Sequence, residues 1–205
     1  MNYLVPHTPK KSIQIKKTGR LSNMNFLCKD MCDIKGFKTS CGNPDFYKNS
    51  SKANENAPFL NKILNEGATL KGITICDEFF YSIIGENIHY GTPENKNALG
   101  CVPGGSSSGS AAALTQKDYD FTIGTDTGGS VRVPASFCGI YGIRPTHGRI
   151  SLQGIHAMSQ SFDTLGWFSK SKNIMLKLGK LFFNNFKNLK INPKTIYIAD
   201  DLVDL

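Results

Sequence analysis

Two short glycine–serine segments constrain this chain more than any other feature: Pro103-Gly104-Gly105-Ser106-Ser107-Ser108-Gly109-Ser110 and Gly124-Thr125-Asp126-Thr127-Gly128-Gly129-Ser130-Val131-Arg132. Glycine and serine at this density form loops, yet neither segment sits in linker surroundings. Ala111-Ala112-Ala113-Leu114 follows the first with strong helix propensity, and Phe121-Thr122-Ile123-Gly124 leads into the second as a buried strand. A phosphate-cradling loop would need Gly-x-x-x-x-Gly-Lys-Ser/Thr, and no Lys follows Gly109. A nucleophile elbow matches formally, because Gly105-Ser106-Ser107-Ser108-Gly109 fits Gly-x-Ser-x-Gly with Asp126 and His147 downstream in triad order. An elbow calls for a strand just before it, whereas Leu99-Gly100-Cys101-Val102-Pro103 is broken by Gly and Pro. Taken together, the two loops offer another chemistry. The backbone N–H groups of Thr127, Gly128, Gly129 and Ser130 would hold an oxyanion while Ser130, at the start of a helix, attacks a carbonyl.

The rest of the chain alternates strand and helix signals, which argues for an α/β sheet protein. Residues 24–29 carry the apolar weight of a strand, and residues 36–54 form a loop rich in Gly, Asn, Pro and Ser. Asn56 reads as an N-cap with Pro58 in the first turn. Phe59, Leu60, Ile63 and Leu64 then recur at helical spacing, and Gly67 ends the helix. Residues 69–75 read as a second strand, and Asp77 as the cap of a short helix at Glu78-Phe79-Phe80. Beyond Ser130 the pattern predicts a short helix, a strand near residues 140–143, a surface helix over 171–186 and a final strand over 195–199.

Composition removes other function classes. The chain of 205 residues is long enough for one domain with a core, and no apolar run is long enough for a bilayer. No secretory signal is visible, so the cytoplasm is the expected compartment and no membrane partner is implied. The net charge of +8 comes mostly from dispersed Lys, without the aromatic interleaving of a nucleic-acid platform, so no nucleic-acid partner is expected. Six cysteines at 28, 32, 41, 76, 101 and 138 show neither C-x-x-C nor Cys/His metal spacing. They read as buried, reduced thiols, with no metal site and no cofactor.

With Val133-Pro134-Ala135-Ser136-Phe137-Cys138-Gly139 after them, the two loops resemble the amidase signature, a motif long enough that chance agreement is remote. The resemblance covers about residues 21–205, behind a basic irregular lead-in at residues 1–20, and its details look most like the plant amidase 1 branch and its bacterial relatives. It implies an α/β fold with a mixed β-sheet flanked by helices, stopping after the catalytic core; a fragment, one half of a split gene whose other half is a second polypeptide, and an inactive remnant are the readings open for that shortfall. The family pattern makes Ser130 the nucleophile and Ser106, twenty-four residues earlier, the bridging serine. Lys29 in Phe26-Leu27-Cys28-Lys29-Asp30 becomes the base. Gly105, Ser107, Asp126 and Arg132 are supporting positions, and the Gly105–Ser106 peptide is expected to be cis. A lysine serves as base only when neutral, so burial must lower its pKa from about 10.4 by roughly two to four units.

The implied activity is hydrolysis of a small carboxamide to carboxylate and ammonia through an acyl-serine. Met31, Phe80, Tyr81 and residues 163–168 are candidate pocket positions. Two other readings stay open: an inactive amidase-like scaffold, and an amide-transfer subunit of the glutamyl-tRNA amidotransferase type.

Overall fold

The structure is a computed structural model that describes residues 3–117, 119–183 and 194–195. Five strands form one mixed sheet: β1 (Asn25–Lys29), β2 (Thr69–Thr74), β3 (Phe121–Asp126), β4 (Tyr141–Ile143) and β5 (Thr164–Ser169). Their spatial order is β2-β1-β3-β5-β4. β1 runs parallel to both neighbours, while β5 is antiparallel to β3 and to β4. The parallel pairing brings the C-terminal ends of β1 and β3 to one edge of the sheet. That edge carries Lys29 and Asp126.

The described residues also form five α-helices: α1 (Pro44–Asn49), α2 (Pro58–Asn65), α3 (Ser108–Gln116), α4 (Arg132–Phe137) and α5 (Lys172–Phe182). Successive strand residues point to opposite faces, and two apolar layers follow from that alternation. Phe26 and Cys28 of β1, Phe121 and Ile123 of β3, and Leu165 and Trp167 of β5 pack with Phe59, Leu60, Ile63 and Leu64 of α2 and Leu178, Leu181 and Phe182 of α5. On the other face Phe168 packs with Ala111 and Leu114 of α3 and Val131 and Ala135 around α4. Leu27 meets Ala113 of α3 and Tyr3 there. No described helix is long and apolar enough to cross a membrane.

Several expectations from sequence change. The loop over 36–54 contains α1, which Asn43 caps by accepting from the Phe46 N–H at 2.7 Å. The N-cap of α2 is Ala57, not Asn56. The Asn56 side chain instead accepts from Lys35 N and donates to Asn61 Oδ1, both at 2.8 Å. The helix expected over 171–186 spans Lys172–Phe182 and buries Leu178, Gly179, Leu181 and Phe182, so it is a core helix on one side. β5 had no strand assignment from sequence, although all six of its residues are buried. The strand expected over 195–199 lies, apart from Thr195, outside the described residues. Residues 3–13 are irregular but bound to the outer edge of β2, through bridges Leu4–Thr74 and Ile13–Leu70 and a 3.1 Å bond from Val5 N to Ile73 O. An edge strand covered in this way is closed to further pairing. All six cysteines are free thiols, but Cys101 is exposed, contrary to the expectation of uniform burial.

Candidate active site

Lys29 closes β1 and is 1 % exposed. Its Nζ lies 2.8 Å from Ser106 Oγ and 3.0 Å from Thr125 Oγ1, and 4.6 Å from the centre of the Phe80 ring. Burial pushes the Lys29 ammonium below its ordinary pKa of 10.5, against the pull of nearby Cys76, Asp77, Asp126 and Cys41. A neutral amine has one lone pair and two N–H bonds. With Thr125 accepting one N–H, the lone pair can face the Ser106 hydroxyl. Thr125 had no role in the sequence expectations, because nothing local marks it as the partner of a lysine 96 residues away.

Ser106 follows a cis Gly105–Ser106 peptide and is fully buried. Gly105 has no room for a side chain, since a Cβ there would come within 2.2 Å of Asp77 Oδ2. The next residue, Ser107, donates its hydroxyl to Thr125 O at 3.2 Å and its N–H to Ser130 O at 3.3 Å, which ties the two serine loops together. The acid and the histidine that an elbow would need lie elsewhere. His147 Nδ1 sits 3.1 Å from Asp163 O, and Asp126 faces arginines, so neither serves Ser107.

The loop that carries Ser130 is pinned by Asp126, whose side chain is fully buried. Asp126 Oδ1 accepts from Gly129 N at 2.9 Å and Arg132 Nη2 at 3.0 Å. Oδ2 accepts from Val131 N at 3.0 Å, and from Arg132 N and Nε at 3.1 Å each. Burial alone would raise the Asp126 carboxyl, but Arg132 and these N–H donors hold it below the usual carboxylate range. Arg144 adds a contact to Asp126 O and Nη1 bonds to Thr127 O and Thr164 Oγ1 at 3.3 and 3.2 Å. Asp163 takes the Thr127 hydroxyl at 2.5 Å. The roles of Arg144 and Asp163 were missed from sequence, because each acts across the β3–β5 pair.

One expectation about the oxyanion donors needs correction. The Gly129 N–H is committed to Asp126, and its φ of 141° turns the chain there into a region that glycine favours. The N–H groups of Thr127, Gly128 and Ser130 make no such bond among the described residues. Ser130 is 3 % exposed, and no hydrogen bond joins its hydroxyl to Ser106 among the described residues. It faces a cleft of about 230 Å³ lined by Phe80, Tyr81, Ser82, Ile83, Gly128 and Met158. Phe79 and Phe80 have positive φ, 46° and 65°, uncommon for bulky side chains and typical of backbone over-determined at a site. Of the other candidate pocket positions, Met31 is fully buried in the core, and Leu165, Trp167 and Phe168 belong to the two apolar layers, so none of these four lines the cleft. A larger cleft of about 620 Å³, beside α2 and Gln153-Gly154, is lined by loop residues away from this chemistry.

The chain is similar to known proteins over most of its length. The family model described as Amidase matches residues 8–182. The chain is 50% identical over 185 residues to Amidase 1 of Arabidopsis thaliana, covering 90% of this chain and 44% of that protein. It is 43% identical over 181 residues to Translocon at the outer membrane of chloroplasts 64 of Pisum sativum, covering 88% of this chain and 30% of that one. Among solved structures, a 6-aminohexanoate cyclic dimer hydrolase superposes with a TM-score of 0.73 at 30% identity, over 79% of this chain and 35% of its own. The chain therefore spans less than half the length of each of these relatives.

Proposed function

The chain belongs to the amidase family, and on that premise we propose that it hydrolyses a small carboxamide through an acyl-enzyme on Ser130 with a Ser106–Lys29 proton relay. The observation that carries this reading is the buried 2.8 Å contact between Lys29 Nζ and Ser106 Oγ, beside the loop that presents Ser130. In the acylation step Ser130 Oγ bonds to the carbonyl carbon and gives its proton to Ser106 Oγ. The Ser106 proton passes in turn to the neutral Lys29 amine. The carbonyl oxygen takes the charge, held by the free N–H groups of Thr127, Gly128 and Ser130. When the C–N bond breaks, the relay runs backward and delivers the proton to departing ammonia. Water then repeats the cycle, so the products are carboxylate, ammonia and free Ser130.

The apolar walls of the Ser130 cleft suit an amide whose acyl group is small and apolar, and the reaction needs neither metal nor cofactor. Five buried free thiols support a reducing compartment such as the cytoplasm. The relative named as a translocon component favours a second reading, a non-catalytic scaffold.

Fluorophosphonate labelling of the folded chain, with the adduct mapped by mass spectrometry, separates the two. Label on Ser130 that is lost in Ser130→Ala and kept in Ser107→Ala supports the hydrolase. Label on Ser107 refutes the relay, and a folded chain that takes no label supports the scaffold.

A further inference from the structure

Asp77 is a fully buried carboxylate for which the relay itself has no use. As the residue before the 3-10 turn Glu78–Phe80 it would be expected to cap that turn, yet its side chain makes no capping bond. It is turned toward the first serine loop instead. Its own N–H donates to Ser106 O at 3.2 Å, and its Oδ2 accepts from Gly85 N at 3.0 Å. The carboxylate lies flat against Gly105: a Cβ on that glycine would sit 2.2 Å from Oδ2 and 2.7 Å from Oδ1 and Cγ. One residue therefore contacts both sides of the Gly105–Ser106 peptide, with its main chain on the Ser106 carbonyl and its side chain on the Gly105 Cα.

We propose that Asp77 is a positioning residue for the amidase relay, bracing the Gly105–Ser106 peptide so that Ser106 Oγ meets Lys29 Nζ. This rests on the relay reading above. The bracing follows from geometry. Ser106 Oγ is held to Lys29 at 2.8 Å, and a peptide free to rock behind it would lengthen a contact on which proton transfer depends steeply.

A carboxylate in that place also bears on the charge of the amine. The ionisable groups facing Lys29 are Cys41, Cys76, Asp77 and Asp126, and Asp30 bears on Cys41 and Cys76 next to them. Burial pushes the thiols of Cys41 and Cys76 up, so they are neutral at physiological pH. Asp126 is already satisfied by Arg132. Asp77 is thus the acid in this group whose charge is met by no cationic side chain other than Lys29 among the described residues. Burial also pushes the Asp77 carboxyl above its ordinary range, against the Gly85 N–H and the charge of Lys29.

The test compares Asp77→Ala and Asp77→Asn with the unaltered chain, reading the rate of fluorophosphonate labelling at Ser130 across pH alongside the thermal melting temperature. Asp77→Ala removes the brace and slows labelling by about 10²-fold. Asp77→Asn keeps the shape and an acceptor for Gly85 N, so it restores most of the plateau rate. It also removes an anion beside Lys29, which lowers the amine's pKa and moves the acid limb of the profile down by about one unit. A merely structural role would alter melting in both variants without moving that limb. If the unaltered chain labels at Ser130 while both variants match it in rate and profile, the inference is overturned alone. If the unaltered chain takes no label, the relay reading falls and this inference falls with it.

Discussion

Replacing Asp126 by Asn tests how the Ser130 loop is held. Asp126 receives three donors on each oxygen: Gly129 N, Arg132 Nη2 and Arg144 Nη1 on Oδ1, and Val131 N, Arg132 N and Arg132 Nε on Oδ2. An amide has one acceptor oxygen and one NH₂, so either orientation points a donor at three donors. Breaking a buried pair from one side costs about 3–5 kcal/mol. The Arg132 side chain is 55% exposed and water can take over part of its share, which puts the expected loss near the low end, about 3 kcal/mol. For a chain of this size that is a fall in melting temperature of about 10 °C, measurable by scanning calorimetry. The Asp126 carboxyl is held below its ordinary pKa, so its contribution is fully present above the unfolded value of about 3.9 and is lost as pH falls through the folded value. The gap between the two proteins should therefore begin to narrow below pH about 4 and close only below the lower folded value. Labelling of Ser130 should fall as well, because the donors released are those of its own loop. A melting temperature within about 2 °C of the unaltered chain, or a gap of equal size at pH 7 and pH 3, would refute the reasoning.

Three further outcomes follow from the same geometry. Lys29→Met keeps the buried volume and removes the base, so Ser130 labelling should fall by about 10²–10⁴-fold, checked as a rate by gel fluorescence; in the unaltered chain that rate should climb with pH through a limb below 10.5, because the neutral amine is the working form. Gly105→Ala drives a methyl into the Asp77 carboxylate and should cost about 1–3 kcal/mol in denaturant melts, with most of the loss recovered when Asp77→Ala is added. Iodoacetamide should modify Cys101 in the folded protein and reach the other five cysteines only after denaturation, as peptide mapping would show.

What could be read in the sequence was what depends on short stretches of chain. The strand before Lys29, the helix after the first serine loop and the strand before the second are each encoded by a few adjacent residues; both strands appear within two residues of their expected bounds, and the helix expected around Ala111–Leu114 begins three residues earlier, at Ser108, and runs to Gln116. β5 was not legible because Thr164-Leu165-Gly166-Trp167-Phe168-Ser169 is buried on both faces, so it lacks the polar alternation that marks a strand with one face in water. Asp77 was misread for a related reason. An acid before a short helix has a local explanation as a cap, and only the folded chain shows its carboxylate against Gly105. The same holds for Thr125, Arg144 and Asp163, which act through partners supplied by other strands.

The strand order also has a kinetic consequence. β1 and β3 are adjacent and parallel, yet Lys29 and Thr125 are separated by 96 residues of chain and Lys29 and Ser106 by 77. Contacts this distant in sequence are slow to form, because the intervening loop must lose its freedom before any pairing energy returns. The β1–β2 pair and α2 can assemble while β3 is still unsynthesised on the ribosome, and until then Lys29 sits at an open strand edge in water. There it is an ordinary charged lysine. The amine becomes a base only when β3 docks, so nucleophilic power at Ser130 should appear last in refolding, after most of the secondary structure has formed.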